Sequence, residues 1–233
     1  MSPHVAGERV VESPGPAAVD ESSDAGATNP QAGSPRWVRG ALLVLAGLLL
    51  GIAGTIAVMA TRSSAPPDWG ADAGFARDMQ THHAQAVEMA LLVRDRSADE
   101  ELRTVAYDIA TSQQQQAGQM YGWLVQWGLP QTGSRPPMAW VGGEHGETHA
   151  GPDGAMPGMA TPAQLDELRA ADGVAAERLF LRLMIAHHEG GVTMAEAAVA
   201  QARTDEVRTL AAAIVAAQSS EIQVLQRMLD DRS

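Results

Sequence analysis

Two adjacent pairs of histidines, each with a methionine one helical turn ahead, are the side chains in this sequence best equipped for chemistry. Phe75-Ala-Arg-Asp-Met79-Gln-Thr-His82-His83 returns as Phe180-Leu-Arg-Leu-Met184-Ile-Ala-His187-His188, without a gap. The match continues through Val87/Val192, Met89/Met194, Glu101/Glu206, Arg103/Arg208, Thr104/Thr209, Ile109/Ile214, Gln113/Gln218 and Leu124/Leu229. About fifteen identities over some fifty aligned positions mark an internal duplication, with repeats over about 75–130 and 180–230. Imidazole nitrogen and thioether sulfur are neutral, borderline-to-soft donors. Their retention in both copies points to one metal site near a pseudo-two-fold axis, with His82, His83, His187, His188, Met79, Met184, Met89 and Met194 as ligands.

Helical geometry makes this feasible. At 100° per residue, Phe75, Met79, Ala86 and Ala90 share one stripe and the two histidines flank it, so both rings can border a core. Phe180, Met184, Gly191 and Ala195 repeat the arrangement. Gly190-Gly191 inside a helix costs roughly 1 kcal/mol per glycine relative to alanine, which implies a close approach of backbone or ligand there. Such a gap, lined by His and Met, suits Cu(I) first, then Cu(II), with zinc and iron behind. A ferritin-type di-iron centre would need inward Glu-x-x-His pairs, and neither copy has one. Gln113 and Gln218, with Gln116 and Glu221 one turn later, are placed to accept ring N–H groups. Arg77 and Arg182 read as salt-bridge or capping anchors, and Phe75 and Phe180 as core. His187-His188-Glu189 lacks metalloprotease spacing, and no Ser-His-Asp pattern or phosphate-cradling glycine loop occurs, so hydrolase chemistry is improbable.

The elements that must position these residues are helices. Apolar residues at three- and four-residue steps predict helices over about 72–96, 98–127, 161–202 with a pause at Asp172-Gly173, and 204–230. Ser97-Ala-Asp-Glu100 and Thr161-Pro-Ala-Gln164 have capping-box spacing at two of the starts. The fold class is all-α: a four-helix bundle over 72–233 made of two duplicated hairpins, with no strands. Between the hairpins, residues 131–160 are rich in Gly and Pro and contain His145, His149, Met156 and Met159. This segment is either a plain crossover or a set of accessory metal ligands.

Residues 1–36 lack large apolar side chains and read as a disordered cytoplasmic tail. Residues 37–61 read as a membrane anchor: Gly40 to Thr61 is uncharged and, as a helix, spans about 33 Å, enough to cross a bilayer once. Arg36 and Arg39 before it place the N-terminus inside the cell and the bulk outside, beyond a linker over 62–71. Val58-Met-Ala60 could serve as a signal cleavage site, but the apolar run is longer than a cleavable signal needs, so an uncleaved single-pass anchor is expected. No cysteine or lysine is present and the net charge is −12, which excludes disulfides and thiolate sites and disfavours nucleic acid.

His82-His83-Ala-Gln-Ala-Val-Glu-Met89-Ala and Phe180-x-x-x-Met184-Ile-Ala-His187-His188-Glu189-Gly190-Gly191, with Met156-Pro-Gly-Met159 ahead of the second, resemble the bacterial family called domain of unknown function 305, over about residues 72–230. The resemblance implies a ferritin-like four-helix bundle, export or membrane anchoring, and an association with copper binding and resistance. The resulting expectation is a protein that buffers copper or hands it to a partner, without catalysis and with homodimerisation open. The alternatives are a ferritin-like metal-dependent oxidoreductase and a metal-free interaction module whose histidines respond to pH.

Overall fold

The computed structural model describes residues 35–62, 65–142 and 154–232, and among them it is all-helical, without a strand. The chain divides into two compact units, up to Thr55 and from Ile56 onward. Nearly all of the described part of the first lies in α1, Arg36–Arg62, whose stretch Arg36–Met59 is long and apolar enough to cross a membrane and is largely exposed. Residues 1–34 of the expected tail, and His145 and His149 of the crossover, lie outside the described residues.

The second unit contains α2 (Ala71–Arg96), α3 (Glu100–Gln126), α4 (Pro162–Ala170), α5 (Gly173–Gln201) and α6 (Asp205–Asp230). Helix α2 packs on α3 and α5 on α6, and the two hairpins meet along α2 and α5. Thr161 and Gln164 form the expected capping box at the start of α4, with Pro162 at its first position. Gly173, at φ 53°, turns the chain between α4 and α5 where the pause was expected. The start of α3 differs from the sequence expectation. Its cap is Asp99, which accepts from the Leu102 N–H at 2.9 Å, while the Ser97 hydroxyl is drawn away to Glu177 at 2.6 Å. A carboxylate at the cap position and a buried acceptor for the serine together move the helix start by two residues.

That Glu177 contact has a counterpart at the matched position, Asp72. The buried Asp72 carboxylate accepts from the Arg203 N–H at 3.1 Å, the Thr204 N–H at 2.9 Å and the Thr204 hydroxyl at 2.8 Å. It therefore fixes the turn that leads into α6, holding the cap residue Thr204 and the residue before it, while Thr204 makes no side-chain cap of its own. Each hairpin thus grips the turn of the other. Arg232 adds to the Glu177 end, reaching Glu177 at 2.9 Å and Asp99 at 2.6 Å.

The apolar interior forms two clusters. One gathers Met89, Val93, Leu102, Leu168, Phe180, Met184 and Leu225; the other gathers Phe75, Met79, Met120, Leu124, Trp140, Met194 and Ile214. Both described arms of the crossover are pinned to α2. Asp78 accepts from the Met138 N–H at 2.7 Å and the Trp140 indole at 2.8 Å, and Trp140 lies edge-on to Phe75. Gly74 permits this, because a Cβ there would fall 2.4 Å from the Trp140 ring. Arg77 pairs with Asp68 and donates to the Pro130 carbonyl at 2.9 Å, holding the end of the first hairpin. On the other arm, the Gln85 amide donates to the Ala160 carbonyl at 2.9 Å and accepts from its N–H at 2.7 Å.

Candidate metal centre

All four histidines are fully buried where α2 meets α5. The His82 and His187 rings lie 3.7 Å apart between centroids, while His83 and His188 sit 6.5 Å and 6.4 Å from their sequence neighbours. Every ring is held through Nε2. His82 Nε2 meets the Pro157 carbonyl at 3.0 Å, and His187 Nε2 meets the His82 carbonyl at 3.0 Å. His83 Nε2 meets Gln116 Oε1 at 2.8 Å and His188 Nε2 meets Glu221 at 2.7 Å. A carbonyl or carboxylate can only accept, so in a neutral ring Nε2 carries the hydrogen and Nδ1 keeps its lone pair. All four Nδ1 atoms are buried with no hydrogen-bond partner.

Burial also fixes the charge state of three of the rings. Desolvation lowers the His82 pKa to about 4 and, joined by repulsion from His82, lowers that of His83 to about 3. Desolvation and the three neighbouring histidines push His187 well below the ordinary imidazole range. Neutral imidazole is the form a metal needs.

Gln113 and Gln218 do not hold the rings. Their buried amides have no partner on either atom, and Gln116 and Glu221, one turn later, take the ring N–H groups. With the four Nδ1 atoms, these amides leave a polar layer of unmet groups between two apolar clusters. At about 1–3 kcal/mol for each unmet buried polar atom, the layer would consume most of the 5–15 kcal/mol of a typical domain's stability. Something that accepts lone pairs fits it.

The thioethers are divided. Met79 and Met194 belong to the cluster around Trp140, and Met89 and Met184 to the other, as expected where two matched helices run antiparallel. Among the described residues no group of three or more His, Asp or Glu forms a ready-made ligand set, so a metal held here would draw on small ring movements or on thioethers. Met156 is buried and Met159 partly so, both beside the Pro157 turn.

Sequence patterns missed the backbone acceptors, the carbonyls of Pro157 and His82, and the clamp at Gln85. The signal for the first was Gly190-Gly191. A Cβ on Gly190 would lie 2.1 Å from the Pro157 oxygen, and one on Gly191 would lie 2.3 Å from Gln218 Oε1.

No curated protein matches the chain. Among solved structures, it is 47% identical to a DUF305 protein from Streptomyces coelicolor, described as a candidate secreted protein, over 71% of this chain and 96% of that one, with a TM-score of 0.65. A DUF305 fragment from Deinococcus radiodurans is 35% identical over 72% and 98%, with a TM-score of 0.58. CopM in the Cu(I)-bound form is 26% identical over 69% and 96%, with a TM-score of 0.51, and its Cu(II)-bound form is 25% identical over 71% and 99%, at 0.53. A family model for a domain of unknown function, DUF305, matches residues 72–229, two thirds of the chain and both histidine doublets, so the chain belongs to the DUF305 family.

Proposed function

We propose that the protein is a membrane-anchored, extracytoplasmic copper-binding protein that buffers the metal or passes it to a partner, without catalysing a reaction. The observation that carries this reading is the set of four buried, partnerless Nδ1 lone pairs, each on a ring whose other nitrogen is fixed as a donor. His82, His83, His187 and His188 would hold the ion through Nδ1, with Met79, Met194, Met89 and Met184 flanking on both sides. Copper would supply only its affinity for soft and borderline donors there. The chain supplies burial, which keeps His82, His83 and His187 neutral, and the acceptors Pro157, Gln116, Glu221 and the His82 carbonyl, which orient the four rings. CopM, crystallised with Cu(I) and with Cu(II), favours copper over zinc, and thioethers on both sides favour Cu(I). The scarcity of carboxylates around the rings disfavours iron. Arg36 and Arg39 in the first turn of α1 would keep the N-terminus inside and the bundle outside.

The test is metal analysis of the purified full chain in detergent, loaded with Cu(I) or Cu(II), beside a variant with His82, His83, His187 and His188 changed to Ala. The variant is expected to lose at least one copper equivalent, and the loaded wild type to consume no oxygen. Equal copper in both proteins overturns the site, and steady oxygen consumption would instead mark a ferritin-like oxidoreductase. A wild type without stoichiometric metal in either oxidation state would leave an interaction module.

A further inference from the structure

The apolar cluster on the Trp140 side contains five buried methionines: Met79 and Met194 from the matched helices, Met120 from α3, and Met138 and Met156 from the two arms of the crossover. The opposite cluster contains Met89, Met184 and Met228. Packing does not require the excess. Met120 matches Leu225 in the second copy, and both are fully buried, so leucine fills that position equally well.

Met138 is the one non-glycine among the described residues in the left-handed region, at φ 64°. That conformation costs a methionine on the order of 1 kcal/mol, yet its side chain is 1% exposed and its N–H is held by Asp78 at 2.7 Å. The chain accepts backbone strain to bring a thioether inward at a position where a turn residue such as glycine would be relaxed. Asp78 is matched by Leu183 in the second copy, so at this position only the Trp140 side has a carboxylate, and it holds the Met138 N–H and the Trp140 indole at the edge of the thioethers.

We propose that Met79, Met120, Met138, Met156 and Met194 form a second site, lined by thioethers alone, for a soft monovalent cation such as Cu(I) or Ag(I). It extends the copper reading given above, shares the flanking Met79 and Met194 with it, and uses none of the four histidines. Thioethers are neutral, bind no proton near neutral pH and favour soft ions, so the site discriminates against Cu(II) and zinc. Binding moves no electron and no proton. The two sites adjoin through the crossover, because Met156 directly precedes Pro157, whose carbonyl takes the His82 ring.

Silver(I) binding to the full chain in detergent, counted by native mass spectrometry, tests this. The wild type is expected to take up two equivalents. The variant Met120→Leu/Met138→Leu/Met156→Leu, with an unchanged helical spectrum, is expected to take up one. The variant with all four histidines changed to Ala is also expected to retain one, with only sulfur neighbours in X-ray absorption. Two equivalents in the leucine variant, or nitrogen neighbours around the silver left in the histidine variant, overturn the proposal. Should the triple variant not fold, Met120→Leu in the histidine-free background is expected to weaken silver binding about tenfold, and unchanged affinity overturns it. The two readings fail separately. A histidine variant that loses all silver removes this site and leaves the histidine centre standing, whereas one that keeps both equivalents removes the histidine centre alone. A wild type that binds no silver removes both.

Discussion

Gly190→Ala separates the packing at the histidine layer from helix propensity, because the two act with opposite sign. In an exposed helix interior the change stabilises by about 1 kcal/mol. At Gly190 the new Cβ would fall 2.1 Å from the Pro157 oxygen, 2.3 Å from its carbon and 2.7 Å from the Gly158 nitrogen, all of them backbone atoms. The Met156–Ala160 turn would have to retreat by roughly 1 Å to restore ordinary contact, a form of overpacking that costs about 1–3 kcal/mol. Retreat also lengthens the 3.0 Å bond from His82 to Pro157 and pulls against the Gln85 clamp at Ala160. An unmet buried ring N–H adds about 1–3 kcal/mol, so the net effect is destabilising by roughly 3 kcal/mol after the propensity gain. For a domain of this size that lowers the melting temperature by about 6–12 °C. Gly118→Ala is the control. It lies in the interior of α3 with nothing within 4 Å of its added Cβ, and is expected to stabilise by up to about 1 kcal/mol. Thermal melts monitored at 222 nm, with the His82 ring followed by NMR, give the comparison. A Gly190→Ala protein that melts higher, as Gly118→Ala should, with an undisturbed His82 ring, would refute the reasoning.

Stability should also fall on acidification. Folded His82 titrates at about 4 and His83 at about 3, below the unfolded value of 6.5. The unfolded chain therefore binds more protons in this window: the contribution is complete above about pH 6.5 and is lost as pH falls through the folded values, at roughly 3 kcal/mol for His82 alone. Urea midpoints for the metal-free protein at pH 7.5 and pH 5 test this, and equal midpoints would contradict it. Asp72→Ala removes the acceptor for the Arg203 and Thr204 backbone N–H groups in the turn before α6 and is expected to cost about 2 kcal/mol. A change in urea midpoint worth under about 0.5 kcal/mol would show that water replaces the carboxylate.

The helices were legible because each pairs an amphipathic stripe with a local stop: Gly128 after α3, Gly173 between α4 and α5, and the capping box at Thr161. The start of α3 was misplaced because Ser97 and Asp99 are both good caps, and a tertiary partner, Glu177, decides between them. The doublets and their methionines were visible through the duplication. What the 105-residue register could not show was which thioethers travel together, because that depends on the antiparallel meeting of α2 and α5. It sets Met79 with Met194 and Met89 with Met184, instead of gathering all four around the rings. The ring acceptors were only half legible. Gln116 and Glu221 have a helical register with the histidines, whereas Pro157 enters from a loop and offers its main chain, a group every residue carries.

The differences between the copies are as informative as the matches. Where they agree, at the four histidines and at Gln113 and Gln218, buried polar atoms, the ring Nδ1 and the side-chain amides, are left without a protein partner, a pattern that weakens a metal-free core. Where they differ, at Gln116/Glu221, Asp78/Leu183 and Met120/Leu225, one side gains a carboxylate beside a ring and the other a carboxylate and an extra thioether beside the second cluster. Under the proposed function, a symmetric frame with asymmetric neighbours would give a bound ion unequal positions along α2 and α5. A cation held more tightly at one end than at the other has a preferred direction of movement, which a buffering protein does not need and a protein that hands copper onward does.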